Sequence, residues 1–322
     1  MSDTVMNENT TTAFMFPGQG SQAVGMGKAL YDQFEEARQT FAEADAALGE
    51  NFTKLVFEGP EEELAMTANT QPAVFTTSMA ALRVLRARVD VEPRLCLGHS
   101  LGEITALVSV GNFNFRNGVR LARLRGQSMQ KAVPAGIGGM AAIMGIDPEA
   151  VDAMCTKASI DGEAVQPANI NGPSQVVVAG HAAAVERVAD MAHDIEGGRA
   201  VTLKVSAPFH CQLMQPAAEA LDEMLGILDF HAMSAPVISN VEADANFDRE
   251  RVRGLLVRQV TSRVRWDASV RKAIELGCTT AVELGHGKVL RGLCRRIDRS
   301  LKVHSCGEPK DIAKLIEIFG EQ

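Results

Sequence analysis

Leu95-Cys96-Leu97-Gly98-His99-Ser100-Leu101-Gly102-Glu103-Ile104 is the stretch that decides how this chain is read. Pro93 to Leu97 is short and mostly apolar, as a buried strand is. Glu103 to Val108 reads as the first turns of a helix. Strand, sharp turn and helix, with a serine at the apex of G-x-S-x-G, make a nucleophile elbow. A bulky residue at position 98 or 102 would collide with its neighbour across so tight a turn. The turn pushes the Ser100 hydroxyl out of the packed layer. It also aims the Leu101 N–H, and the positive end of the following helix, at whatever reacts there. The same pattern also occurs as an idle glycine turn, so the remaining residues have to decide between the two.

With 322 residues the chain is long enough for one large domain, or a large one with a smaller insert. Hydrophobic residues at 46% and charged residues at 22% are ordinary for a globular protein. Met1 to Thr12 is polar and is expected to be a frayed tail, neither a signal nor a transit peptide. No apolar run reaches the length of a membrane span, so no membrane partner is expected. Cys96, Cys155, Cys211, Cys278, Cys294 and Cys306 are scattered without a C-x-x-C pair. That spacing argues against a zinc site or a disulfide framework, and for a reducing cytoplasm.

The net charge of −8 is unevenly placed. Arg249 to Lys302 holds 14 Lys or Arg against 5 Asp or Glu. A basic region on an acidic protein suggests an anionic partner, and solvated helix faces are the plainer alternative. Nucleic acid is not expected, because the stretch offers only Trp266 for stacking.

Ala13 to Phe16 reads as a buried strand running into the glycine-rich turn Pro17-Gly18-Gln19-Gly20-Ser21-Gln22. Glycines on both sides of Gln19 free its backbone to present an N–H. The G-x-x-x-x-G-K-[ST] pattern of a phosphate loop is absent. Gly27 to Leu48 is predicted helical, with Leu30, Phe34, Ala37 and Phe41 on one face. Glu61 to Arg88 holds two more helical stretches, the second opening near Gln71-Pro72 with proline in its first turn. On the helix predicted over 118–131, Gly118, Leu121, Ala122, Arg125 and Met129 share one side. Arg125 thus falls on the inward face, where a cation needs an anionic partner. Either a core carboxylate supplies it, or a substrate carboxylate does.

From Gly138 the order becomes β-α-β-β-α-β, which matches a ferredoxin-like unit. Residues 136–204 are therefore expected to be a small inserted domain within a large one made of 13–135 and 205–322. The chain re-enters the large body at Ser206-Ala207-Pro208-Phe209-His210-Cys211, and a helix is predicted from about Gln212 to Leu228. His210 then sits at a strand-to-helix junction, as a structural histidine or as a base. Further on come a strand over 236–241, a helix over 249–260 with Gln259 at its end, a strand over 280–284 and a helix over 288–299.

These residues resemble a family, the malonyl-CoA:acyl carrier protein transacylases of fatty acid synthesis, and more distantly the acyltransferase domains of polyketide synthases. The resemblance runs from about Phe14 to Phe319. Its motifs are Phe16-Pro17-Gly18-Gln19-Gly20-Ser21-Gln22, Gln71-Pro72-Ala73, Gly98 to Glu103, Arg125-Gly126 with Met129-Gln130, Asn169 to Pro173, Ser206 to Cys211, Val257-Arg258-Gln259 and Gly285-x-Gly287-Lys288-Val289-Leu290. It implies an α/β fold: a hydrolase-like domain with a mostly parallel central sheet flanked by helices, plus the ferredoxin-like α+β insert. It further implies Ser100 as nucleophile, His210 as base, and Arg125 as the holder of the malonyl carboxylate. The Gln19 and Leu101 N–H groups would form the oxyanion hole, and the Gln259 backbone carbonyl would orient the histidine. No bound cofactor is implied; malonyl-CoA is a substrate and holo acyl carrier protein the partner of a monomeric enzyme. The basic stretch, with Arg291, Arg295 and Arg299 on one helix face, would dock the acidic carrier. Ile104 stands where many members have tyrosine, and His286 where many have proline. Phe209 matches malonyl-selective polyketide domains, where its ring leaves little room for an α-methyl branch.

Two other readings remain at this point. A serine hydrolase of the α/β-hydrolase class places its histidine late in the chain, so His304 would have to serve. A scaffold protein would leave Ser100 idle.

Overall fold

A computed structural model of the chain describes residues 6–7, 10–134, 136–203, 205 and 207–320. Among the described residues ten strands run in chain order: β1 Thr12–Phe16, β2 Leu95–Gly98, β3 Gly138–Met144, β4 Val165–Gly172, β5 Gln175–His181, β6 Arg199–Thr202, β7 Val237–Ile238, β8 Ala245–Asn246, β9 Thr280–Leu284 and β10 Lys302–Cys306. Six of them form a sheet in the order β10-β9-β1-β2-β7-β8. All its pairings are parallel except the short β7–β8 pair at one edge.

Every residue of β1 and β2 is buried, as strands covered on both faces must be. Alternate side chains feed separate cores. Phe14 and Phe16 pack on one face with Phe41, Phe75 and Leu101. Ala13, Met15, Leu95 and Leu97 pack on the other with Trp266, Val270 and Cys294. Both strands thus end, at Phe16 and Gly98, beside each other at the carboxyl edge of the sheet. Ligands of open parallel sheets bind at that edge.

The other four strands form an antiparallel sheet in the order β4-β5-β3-β6. The helices Pro148–Ala158 and Ala182–His193 pack on it, with Ile143, Val151, Val176, Val178 and Val188 in a core of their own. This is the ferredoxin-like order the β-α-β-β-α-β pattern implies. Backbone bonds join it to the large sheet's layers: Ile170 N–H to Val264 O at 2.8 Å, and Val264 N–H to Ala168 O at 2.8 Å.

Several elements differ from the sequence reading. The helix expected over 27–48 is two, Lys28–Gln33 and Glu35–Leu48, because Phe34 is extended. The Arg38 guanidinium reaches back to the Tyr31 and Asp32 carbonyls and so caps the broken turn. The helix expected to open at Gln71-Pro72 runs Thr67–Arg86, with Pro72 inside it. An internal proline costs about 3 kcal/mol. Here sixteen of the helix's twenty residues are buried, which outweighs that cost. After His210 the chain makes a 3₁₀ turn, Gln212–Met214, before the helix Gln215–Leu225. The strand expected over 236–241 contracts to Val237–Ile238, and the helix over 288–299 to Val289–Ile297. Ser206, and residues 1–5 and 8–9 of the polar tail, lie outside the described residues.

Candidate active site

The elbow is built as its glycines require. A Cβ added at Gly98 would overlap the Gly102 carbonyl, and one at Gly102 would overlap the Phe16 carbonyl. Ser100 itself takes φ 54° and ψ −108°, a conformation non-glycine residues avoid. Its strain is held from both sides. The Ser100 N–H donates to Asn240 Oδ1 at 2.8 Å, and the Gln259 side-chain amide donates to the Ser100 carbonyl at 3.0 Å. Ser100 Oγ therefore stands at the head of the helix Leu101–Ser109.

His210 reaches it from the re-entering segment, with φ 60° and only 2% exposure. His210 Nε2 lies 2.7 Å from Ser100 Oγ, and Nδ1 lies 2.8 Å from the backbone carbonyl of Gln259. A carbonyl only accepts, so Nδ1 carries the proton and Nε2 is free to accept the Ser100 hydroxyl proton. Burial, with the nearby Arg125 cation second, pushes the imidazole down to about 3. At neutral pH the ring is a neutral base. Gln166 of β4 donates to the His210 carbonyl at 3.2 Å, so the second sheet also holds the histidine's backbone.

Arg125 is buried at 2% exposure on the helix Phe115–Lys131, as the helical wheel places it. Its partners are side-chain oxygens of neutral groups: Gln71 Oε1 at 2.9 Å, Gln259 Oε1 at 2.9 Å and Ser100 Oγ at 3.1 Å. Its Nε has no acceptor among the described residues. Among the described residues, the core carboxylate that the alternative reading needs is not in contact with it. A buried guanidinium held by neutral oxygens keeps its attraction for an incoming carboxylate.

Gln19, Gln71, His99, Ser100, Leu101, Arg125, Met129, Met140, Asn169, Phe209 and His210 line one cavity of about 70 Å³. Among the described residues, neither the Gln19 N–H nor the Leu101 N–H donates to a protein acceptor. Both belong to residues of the cavity wall, Leu101 as the first residue of its helix.

The acyl transferase domain matches residues 13–308. The chain belongs to that family. The malonyl CoA-acyl carrier protein transacylase of Bacillus subtilis is 44% identical over 310 residues, 96% of this chain and 98% of that one. The solved acyl-carrier-protein-S-malonyltransferase of Bartonella henselae has TM-score 0.93 and 43% identity, covering 97% of this chain and 100% of its own. A type II PKS acyl-carrier protein in complex with its malonyl-transacylase gives TM-score 0.93 and 42% identity, covering 96% of this chain and 100% of that one.

In this acyltransferase the six residues singled out from sequence come together, and His304 does not join them. It lies on β10, three strands from β2, beside the Arg291, Arg295 and Arg299 side chains. The hydrolase reading thus loses its histidine. Within the basic stretch, Arg249, Arg251, Arg253, Arg258, Arg263, Arg271 and Lys272 each face a carboxylate. Arg291, Arg295, Arg299 and Lys302 instead line a groove of about 480 Å³, joined there by Lys314, in which Asp311 is the acidic residue. Ile104 is fully buried away from the cavity, and His286 does not line it. Sequence reading missed Glu103, Asn240 and the His99–Asn171 pair at 2.8 Å. His99 lies inside the elbow motif and Glu103 directly after it, but only the fold shows what they face.

Proposed function

We propose that this acyltransferase moves a malonyl group from malonyl-CoA to the phosphopantetheine thiol of a holo acyl carrier protein, supplying extender units for fatty acid synthesis. The observation that carries it is Arg125: a buried cation with no carboxylate in contact among the described residues, 3.1 Å from the nucleophilic oxygen. His210 Nε2 takes the Ser100 proton as Oγ attacks the malonyl thioester. The Gln19 and Leu101 N–H groups hold the tetrahedral oxyanion, each such donor being worth on the order of 3 kcal/mol. The carbon–sulfur bond breaks, His210 returns the proton to sulfur, and coenzyme A leaves as a thiol. The carrier thiol then attacks the malonyl-Ser100 ester by the same route in reverse, and Ser100 recovers its proton. Arg125 holds the free carboxylate in both halves, and Phe209 closes the space an α-methyl branch would fill. No cofactor is needed for these steps.

Arg125→Ala tests the reading. It is expected to lower kcat/KM for malonyl-CoA by roughly a hundredfold, the worth of a lost charge-assisted pair. Acetyl-CoA, which lacks the carboxylate, is expected to lose far less. An unchanged malonyl-to-acetyl ratio in a folded variant would place the diacid preference elsewhere.

Residues 136–204 are an inserted subdomain in this reading, bringing Asn169 to the cavity, and the protein works as a cytoplasmic monomer. The groove of Arg291, Arg295 and Arg299 is the docking surface for the acidic carrier. Charges of this kind steer encounter and are screened by salt. Reversing the three arginines to glutamate is expected to raise KM for the carrier and flatten its salt dependence, while acylation by malonyl-CoA changes little. An intact carrier KM and salt slope would move the docking surface off this groove.

A further inference from the structure

Glu103, Asn240 and Gln259 are buried yet do not line the substrate cavity. They form one hydrogen-bonded set behind the elbow. Glu103 Oε2 accepts from Gln259 Nε2 at 2.7 Å and from the Asn240 N–H at 3.0 Å. The other end of the same amide, Gln259 Oε1, accepts from Arg125 Nη2 at 2.9 Å. That Arg125 nitrogen is the one 3.1 Å from Ser100 Oγ. Asn240, for its part, donates to the Gly98 carbonyl at 2.7 Å while accepting from the Ser100 N–H.

A primary amide has two ends of nearly equal shape and opposite hydrogen-bonding character. Its partners decide which way round it sits. Arg125 can only donate, so it needs the Gln259 oxygen. That requires acceptors at the other end: Glu103 Oε2 at 2.7 Å is the shortest contact and the charged one, with the Ser100 carbonyl at 3.0 Å and Asn240 Oδ1 at 3.3 Å beside it. With the amide reversed, two donors would meet at Arg125 and two acceptors at Glu103, two buried repulsive contacts in place of two hydrogen bonds.

We propose that Glu103 is a positioning residue: its Oε2 sets the polarity of the Gln259 amide, and so the pose in which Arg125 meets the substrate's free carboxylate. Burial raises the Glu103 carboxyl to about 7 and lowers Arg125 to about 10, and the opposite charge of each offsets part of the shift in the other. A proton on Oε1 leaves Oε2 an acceptor, so the arrangement depends on the acceptor and not on the charge. The inference rests on Arg125 as the carboxylate holder.

The test uses the full-length protein with Glu103→Met, which keeps the volume and removes the acceptor, and Glu103→Gln, which keeps an acceptor and removes the charge. Circular dichroism and thermal unfolding report whether each folds. KM and kcat are read for acylation by malonyl-CoA and by acetyl-CoA. Glu103→Met is expected to raise KM for malonyl-CoA about tenfold or more, with acetyl-CoA kinetics within about threefold of the parent. Glu103→Gln is expected to bring the malonyl-to-acetyl ratio back to within about threefold of the parent. Equal losses on both thioesters would reduce Glu103 to packing, and a Gln variant as impaired as Met would show that charge matters; either overturns the proposal. Should Glu103→Met not fold, the Gln variant carries the test by itself, and a tenfold fall in its ratio overturns it. Arg125→Ala run alongside separates the two ideas. If it leaves the ratio unchanged, the Arg125 reading fails; if it collapses the ratio and Glu103→Met does not, only the Glu103 inference fails.

Discussion

Ser100→Ala is expected to leave no malonyl-enzyme at all. Ser100 Oγ is the hydroxyl that the elbow raises into the cavity, 2.7 Å from the base and 3.1 Å from the Arg125 guanidinium. The six cysteines are buried, and burial raises five of their thiols, Cys96, Cys155, Cys211, Cys278 and Cys294, to between about 11 and about 12. Cys306 is raised as well. A thiol that does not ionise is a poor substitute nucleophile. Intact mass after incubation with malonyl-CoA checks the expectation, and an adduct of parental yield on the variant would remove Ser100 from the mechanism. The fold should survive the change, because the Asn240 and Gln259 bonds to residue 100 are to its backbone.

His210→Ala is expected to slow acylation by about 10²–10⁴, which is roughly 3–5 kcal/mol of barrier. Among the described residues no second base is in hydrogen-bond contact with Ser100 Oγ; its other partner is the Arg125 cation. Stopped-flow release of coenzyme A thiol gives the rate, and parental kinetics would make His210 structural. The pH profile adds a signed expectation. Burial holds the imidazole far below its ordinary 6.5, so protonation, which would block Nε2, is deferred to acid. The acylation rate should therefore stay level as pH falls through 6.5. The Glu103 carboxyl, lifted to about 7, titrates nearby, so the profile is best taken in the Glu103→Gln background.

Much of the site was legible because its determinants are local. Gly98 and Gly102 are dictated by the closeness of two backbones, and that constraint is visible as letters at fixed spacing. The Arg125 position follows from helical periodicity, whatever the helix packs on. What could not be read depends on distant partners. Glu103 looks like a first-turn acid of an ordinary helix until β7 and the Arg249–Thr261 helix bring Asn240 and Gln259 against it. Phe34 was a plausible member of a helical face, and only the Arg38 bonds to Tyr31 and Asp32 reveal a break there. Two-residue strands such as β7 and β8 carry too few residues for a period, and β10 alternates too weakly to stand out in a basic stretch. The charge count over 249–302 could not show that half of those cations are already paired, four of them to Asp152, Asp222 and Glu242 from elsewhere in the chain.

Two-step transfer through Ser100 can be followed by time-resolved intact mass of the protein given malonyl-CoA and then holo acyl carrier protein. A malonyl adduct is expected that maps to Ser100, persists in buffer, and passes to the carrier as malonyl-carrier when the thiol arrives. Release of free malonate without carrier, or malonyl-carrier formed while Ser100 stays unmodified, would contradict it.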